Sequence, residues 1–196
     1  MSQSAACNPI DGQTLADLIR NQSNPVIIVD CRFDYEFTFG HIKGAVNIDN
    51  QDLLENTFLH DLGKLREFMT KRTILVFHCE FSQRRAPNLW RTLRELDRTI
   101  NLDKYPKLFF PEMYVLEKGF SSFHERFPDL CQGGYKRQEG DKLEKSRVRS
   151  MQRDFKSYRI QDQVVLLKKS ASYGHGILPR HSNLTVTAAT IAEPDQ

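Results

Sequence analysis

The stretch Thr73-Ile74-Leu75-Val76-Phe77-His78-Cys79-Glu80-Phe81-Ser82-Gln83-Arg84-Arg85 decides the fold, because it runs from a buried strand through a cysteine turn into a helix. Thr73 to Phe77 is β-branched and aromatic, carries no charge and lacks the alternation of a half-exposed strand. It therefore predicts a central strand covered on both faces, with a ligand site beyond its C-terminal end. Pro87 suits the first turn of a helix, and Leu89, Trp90, Leu93, Leu96 and Ile100 recur at helical spacing. The helix N-terminus thus faces the end of the strand.

Between the two, Cys79 and Arg85 stand six positions apart. The backbone N–H groups of Glu80, Phe81, Ser82, Gln83, Arg84 and Arg85 are expected to converge on an anion there, aided by the helix dipole. A helix N-terminus and a neighbouring arginine also favour the thiolate form of a cysteine, which is the nucleophile. Arg85 offers a planar fork for two oxygens of a phosphoryl group, which lysine does not reproduce. The loop is read as a phosphate-binding catalytic loop, against the plainer reading of Cys79 as a buried structural cysteine.

The wider pattern points to a family. His78-Cys79-Glu80-Phe81-Ser82-x-x-Arg85, followed by Arg94-x-x-Asp97-Arg98, Asn101 and Tyr105-Pro106, resembles the catalytic core of the M-phase inducer phosphatases. These are dual-specificity phosphatases that activate cyclin-dependent kinases. Asp30-Cys31-Arg32-Phe33-x-Tyr35-Glu36-Phe37, Gly40-His41-Ile42-Lys43-Gly44-Ala45-Val46-Asn47-Ile48 and Phe110-Pro111-Glu112-Met113-Tyr114-Val115-Leu116 are similar to further motifs of that family, in the same order.

The resemblance implies a rhodanese-like α/β domain over residues 10–137, with a parallel sheet of about five strands flanked by helices on both faces. It implies a two-step phosphoryl transfer through a cysteinyl-phosphate on Cys79, with Arg85 on the phosphate and no cofactor or metal. Cys31 is implied to be a redox-resolving thiol that pairs with Cys79 and spares it from over-oxidation. Arg94, Arg98 and Tyr105 match positions that dock the substrate, a phosphorylated cyclin-dependent kinase–cyclin complex. With that partner go roles in cell division and mitosis and a location in nucleus and cytoplasm. The long N-terminal regulatory region of most relatives has no counterpart here, so control is expected to differ or to act through the tail.

The chain departs from the family pattern in places. Arg84 stands where members often carry an acid or a small residue, which leaves the general acid unassigned, with Glu80 the nearest carboxylate. Lys118-Gly119-Phe120 replaces two glycines before an aromatic, a change expected to touch no proposed chemistry. Glu36 is read as a loop acid that orients Arg32 or Arg85, or as a solvated one. His41 is read as a turn residue.

Composition narrows the remaining choices. The chain has 196 residues, 39% of them hydrophobic, enough for one ordinary domain with extensions. No apolar run approaches the ~18 residues of a membrane span, so no membrane partner is expected. Cys7, Cys31, Cys79 and Cys131 form no metal-binding spacing with the six histidines and suit a reducing compartment. Residues 1 to 135 carry 16 Lys/Arg against 18 Asp/Glu, whereas residues 136 to 169 carry 11 against 5. Despite that basic segment no nucleic-acid partner is expected, because no stacking or groove-reading pattern accompanies it. A monomer is expected.

Along the chain, residues 1–9 are expected to be disordered, Thr14 to Arg20 to form a short helix capped near Asp11 or Gln13, and Pro25 to Asp30 to form a second buried strand. If that strand is the parallel neighbour of the central one, Asp30, Cys31 and Arg32 arrive beside Cys79. Ala45 to Ile48 reads as a short strand and Asp61 to Met69 as a helix. Leu108 to Phe110 and Met113 to Leu116 read as the last strand, and Ser121 to Phe127 as a short helix. Residues 138–162 read as an amphipathic basic helix and 163–196 as a flexible tail.

Three other readings fit a cysteine loop of this kind: a rhodanese-type sulfurtransferase, an arsenate reductase and a phosphopeptide-binding pseudoenzyme. Sulfurtransferase loops on that fold are typically one residue shorter than the Cys79 to Arg85 loop. The long helix after Arg85 and the docking-like motifs speak against a reductase, and the intact Cys79 and Arg85 against a pseudoenzyme.

Overall fold

The computed structural model describes residues 7–22 and 24–137; the helix expected over 138–162 and the tail over 163–196 lie outside the described residues. In chain order the elements are β1 (Pro9–Ile10), α1 (Gly12–Asn21), β2 (Val26–Asp30), α2 (Asp34–Phe39), β3 (Gly40–Ile42), β4 (Val46–Asn47), α3 (Gln51–Phe58), α4 (Leu62–Thr70), β5 (Ile74–His78), α5 (Arg85–Ile100), β6 (Met113–Leu116), α6 (Gly119–Arg126) and β7 (Cys131–Gly133). Five strands make one parallel sheet in the order β1-β6-β5-β2-β4. β3 and β7 pair antiparallel in a separate ribbon.

The alternation of side chains along β5 explains its unbroken hydrophobicity. Leu75 and Phe77 enter a core with Val29, Met113 and Val115, covered by Leu54 and Phe58 of α3, Leu65 of α4 and Leu89, Trp90, Leu93 and Leu96 of α5. Val76 enters the opposite core with Ile10, Ile28 and Leu116, covered by Leu15 and Ala16 of α1 and Phe120 and Phe123 of α6. Both faces are therefore filled, as the sequence pattern requires. Each of the large apolar side chains of α5 contributes roughly 1.5–3 kcal/mol by leaving water, which fixes that helix on the sheet.

Helix starts follow their caps. The Asp11 carboxylate accepts hydrogen bonds from Gln13 N at 2.9 Å and Thr14 N at 3.0 Å and sets the start of α1. Asp61 does the same for α4, and Asn50 for α3, a helix the sequence reading did not anticipate. Glu36, expected in a loop, lies instead in α2. That helix starts from Phe33, whose N–H donates to Glu36 Oε2 at 2.9 Å.

Two expectations are corrected here. Residues 7 to 9 are not disordered: Pro9 and Ile10 pair with Val115 and Leu116, and Val115 N donates to Asn8 O at 2.8 Å. The edge of β6 offers ladder partners that the small polar sequence does not reveal.

The second correction concerns Arg94, expected on an exposed docking face. It is buried, 5% exposed, and its Nη1 donates to Phe110 O at 2.7 Å and lies 3.4 Å from Asp97 Oδ2. Asp97 in turn accepts from Phe109 N at 2.8 Å, Phe110 N at 3.1 Å and Asn101 Nδ2 at 2.8 Å. Together they tie the end of α5 to the segment entering β6, which is why Leu108 to Phe110 do not join that strand. Burial raises the Asp97 pKa although these donors oppose it. Arg94→Ala is expected to cost about 3 kcal/mol, the low end for breaking a buried ion pair because three donors remain on Asp97. Denaturant midpoints at unchanged slope check it; a variant as stable as the parent would show that Arg94 is not a structural tie.

Candidate active site

The site forms where β2 and β5 end side by side. Their parallel register pairs Asp30 with His78, so the next residues, Cys31 and Cys79, also lie together, and Cys31 N donates to His78 O at 2.7 Å. Both thiols are free and buried. Burial first, and then the neighbouring Cys79 and Asp30, push the Cys31 thiol well above its ordinary range.

Beyond Cys79 the chain makes consecutive bends from Glu80 to Arg84, with Ser82 in the left-handed region at φ 54°, before α5 begins at Arg85. Arg84 gives the first turn of α5 no side-chain cap. The first amides of that turn therefore have no capping side-chain oxygen from Arg84.

α6 supports the loop from below. Phe120 N donates to Cys79 O at 2.9 Å and Ser121 N to Glu80 O at 3.1 Å. Because a trans peptide holds its C=O and N–H on opposite sides, the Glu80 and Phe81 amides point away from α6, toward the face on which α5 stands. Gly119 makes this approach possible: at φ +63°, a Cβ on it would lie 2.4 Å from Cys79 O and 2.5 Å from Glu80 O. The glycine that remains before the aromatic thus backs the catalytic loop, whereas the position that departs from the family pattern is its neighbour Lys118. Lys118 itself sits at φ 59°, where its side chain is tolerated at some cost.

Arg85 is fastened by Glu36 of α2. Its Nη2 donates to Glu36 Oε1 at 3.1 Å, its Nη1 pairs with Oε2, and its Cζ lies 5.1 Å from the Phe33 ring. Glu36 is thus the orienting carboxylate, and Arg85 rather than Arg32 is its partner. Arg32 belongs to a separate buried knot. Its Nε donates to Asp30 Oδ1 at 2.9 Å, its Nη2 to Gly40 O at 2.7 Å, and its Cζ lies 3.9 Å over the Phe120 ring. Burial alone would raise the Asp30 carboxyl, but the fields of His78 and Arg32 and the Arg32 hydrogen bonds outweigh it and lower its pKa. His78, fully buried, stacks on Phe120 and has its own pKa lowered by burial.

Of the residues singled out by sequence, Cys79, the loop Glu80 to Arg85 and Cys31 come together, whereas Arg98 and Tyr105 lie outside this cluster at the far end of α5 and beyond it. Tyr105 is 86% exposed, and Arg98 is exposed too. His41 stacks on Phe37 with Nδ1 2.8 Å from Phe37 O, a local turn role as expected. Gly119 and Tyr135 were missed; only the glycine left a signal, in its place before the aromatic. Among the described residues no group of three His, Cys, Asp or Glu side chains is arranged to hold a metal ion.

Comparison with known proteins gives the family of this fold. The model of the rhodanese-like domain matches residues 13–126, more than half of the chain. The chain belongs to the rhodanese-like domain family. Within that family its sequence is similar to M-phase inducer phosphatases, as the motifs imply. It is 37% identical to M-phase inducer phosphatase 3 of Bos taurus over 171 residues, 83% of this chain and 35% of the relative. It is 42% identical to M-phase inducer phosphatase 3 of Xenopus laevis over 128 residues, 63% of this chain and 22% of the relative. The chain thus spans about a third or less of the length of these curated relatives.

Solved structures share the fold. A Saccharomyces cerevisiae protein described as a homolog of single-domain rhodanese and of the Cdc25 phosphatase catalytic domain superimposes with a TM-score of 0.50 at 22% identity, covering 66% of this chain and 88% of that one. The As-Sb reductase of Leishmania major gives 0.51 at 19% identity, covering 74% and 99%. The rhodanese-like sheet with helices on both faces is the shared feature.

Proposed function

We propose that this rhodanese-like domain is a cysteine-dependent protein phosphatase of the M-phase inducer type, acting on phosphotyrosine and phosphothreonine of a cyclin-dependent kinase–cyclin complex and promoting entry into mitosis. The observation that carries the reading is the turn from β5 to α5: a thiol at the strand's end and, six residues on, a guanidinium held by Glu36. In the first step the Cys79 thiolate attacks phosphorus, a P–S bond forms and the bond to the substrate oxygen breaks. In the second, water attacks phosphorus and the thiolate leaves with orthophosphate released. Arg85 and the loop amides stabilise the equatorial oxygens as charge redistributes, donors commonly worth ~10² to 10³ each in rate.

The leaving oxygen needs a proton. Glu36 is bound to Arg85, Asp30 to Arg32, and Glu80 accepts from Tyr135, so none of the three is placed as a general acid. The proton is assigned to the substrate, arriving as the singly protonated phosphate. Arg98 and Tyr105 remain as docking residues for the kinase, and nucleus and cytoplasm as the location.

Assaying an aryl phosphate, thiosulfate and arsenate side by side tests the reaction class. Turnover of the phosphate alone is expected; sulfur transfer or arsenate reduction in its place would reverse the assignment in favour of the other activities on this fold.

Cys31 is the redox partner in this reading. Hydrogen peroxide oxidises the Cys79 thiolate to a sulfenic acid; the Cys31 sulfur then attacks that sulfur, a disulfide forms and water leaves. Mass spectrometry after mild peroxide is expected to show a Cys31–Cys79 link in the parent and Cys79 sulfinic acid in Cys31→Ser. Sulfinic acid at equal rates in both proteins would remove the role.

A further inference from the structure

The segment that follows β7 reaches back to the catalytic loop. Tyr135 OH donates to Glu80 Oε1 at 2.9 Å, and Arg137 Cζ lies 5.5 Å from the Phe81 ring. The segment is anchored where it starts, by the pairing of β7 with β3 and by Gly134 N donating to Phe39 O at 3.0 Å. The Tyr135 ring packs edge-on against Phe120 at 5.8 Å, on the helix whose amides hold the Cys79 and Glu80 carbonyls.

Glu80 needs such a partner. It is buried, 5% exposed, and directly follows the nucleophile in a loop that is to receive an anion. A carboxylate there has the wrong sign for that ligand unless it is turned aside and its charge is shared with a donor. Tyr135 does both, and its hydroxyl keeps its proton: burial first, and also the Glu80 hydrogen bond and charge, raise its pKa, with a Ser121 hydrogen bond opposing.

We propose that Tyr135 is a positioning residue for the phosphate cradle, acting through Glu80, so that the run from Cys131 to Arg137 is a strap on the catalytic loop. The inference rests on the phosphatase reading, because it assigns the cradle a phosphate-like ligand. It makes the geometry of the loop depend on a residue 55 positions beyond Glu80, outside the strand–loop–helix unit itself.

The test is calorimetric titration of the full chain with tungstate, a phosphate mimic that needs no turnover. Tyr135→Phe is expected to weaken tungstate binding about tenfold, the effect of removing a hydrogen bond to a charged group. The KM for an aryl phosphate is expected to rise by a similar factor with kcat changed less, a split that general loosening of the fold does not produce. In a Glu80→Gln background the same Tyr135→Phe change is expected to add nothing further, since the charge it controls is gone. Glu80→Gln alone, which leaves Tyr135 in place, is expected to bind tungstate at least as tightly as the parent. Unchanged binding in Tyr135→Phe, equal losses in both backgrounds, or weaker binding in Glu80→Gln overturns the strap. A parent protein that binds no tungstate overturns the phosphate cradle itself, and the strap with it.

Discussion

Cys79→Ser is expected to reduce hydrolysis of an aryl phosphate to the buffer blank, and Arg85→Lys to lower it by about 10³ or more. Serine at the end of β5 keeps the packing and the loop but supplies an alcohol in place of a thiolate, a far weaker nucleophile without a base to activate it. Lysine keeps the charge of Arg85 but loses the planar fork, which here is set by two contacts to Glu36 and by the Phe33 ring. A point charge on a flexible stem holds neither Glu36 nor a pair of phosphate oxygens in one plane. Initial rates with matched circular dichroism spectra measure both. Parent-like turnover in either folded variant would refute the cysteinyl-phosphate reaction.

Gly119→Ala is expected to lower turnover by about 10², the cost of a misplacement on the order of 1 Å at a reacting centre. The methyl group cannot fit at 2.4 Å from Cys79 O and 2.5 Å from Glu80 O, and both neighbours are backbone, so the loop must move. Moving those carbonyls swings the Glu80 and Phe81 amides that point the other way. The left-handed φ of +63° adds about 1–2 kcal/mol of strain for a residue with a Cβ. Thermal melts and tungstate affinity separate the two effects: a stability loss with unchanged anion binding would show that α6 supports the fold but does not aim the loop.

The parallel sheet and its central loop were legible in the chain because their causes are local. β5 is hydrophobic without alternation since Leu75, Phe77 and Val76 serve opposite cores, and the stripe on α5 repeats at helical spacing for the face it lays on the sheet. That Cys31 arrives beside Cys79 depended on the two strands being parallel neighbours, which β2 and β5 are. Arg94 misled for an equally physical reason. An arginine at the edge of a helical stripe reads as solvated, and nothing nearby in sequence announces that Phe110 O, 16 residues on, accepts its hydrogen bond.

What the amino-acid sequence by itself determined, then, is the strand, the cysteine turn and the helix, together with the order of the elements around them. Periodicity and spacing within a few residues encode these. What only the tertiary structure decided is how the turn is held. Of the roles open to it, Glu36 takes Arg85 across 49 residues, Gly119 opens room for α6 beneath the loop, and Tyr135 grips Glu80 across 55 residues. Such contacts join charges, a glycine and a hydroxyl whose local patterns look like ordinary surface and turn, so their meaning exists only once burial removes water as the alternative partner.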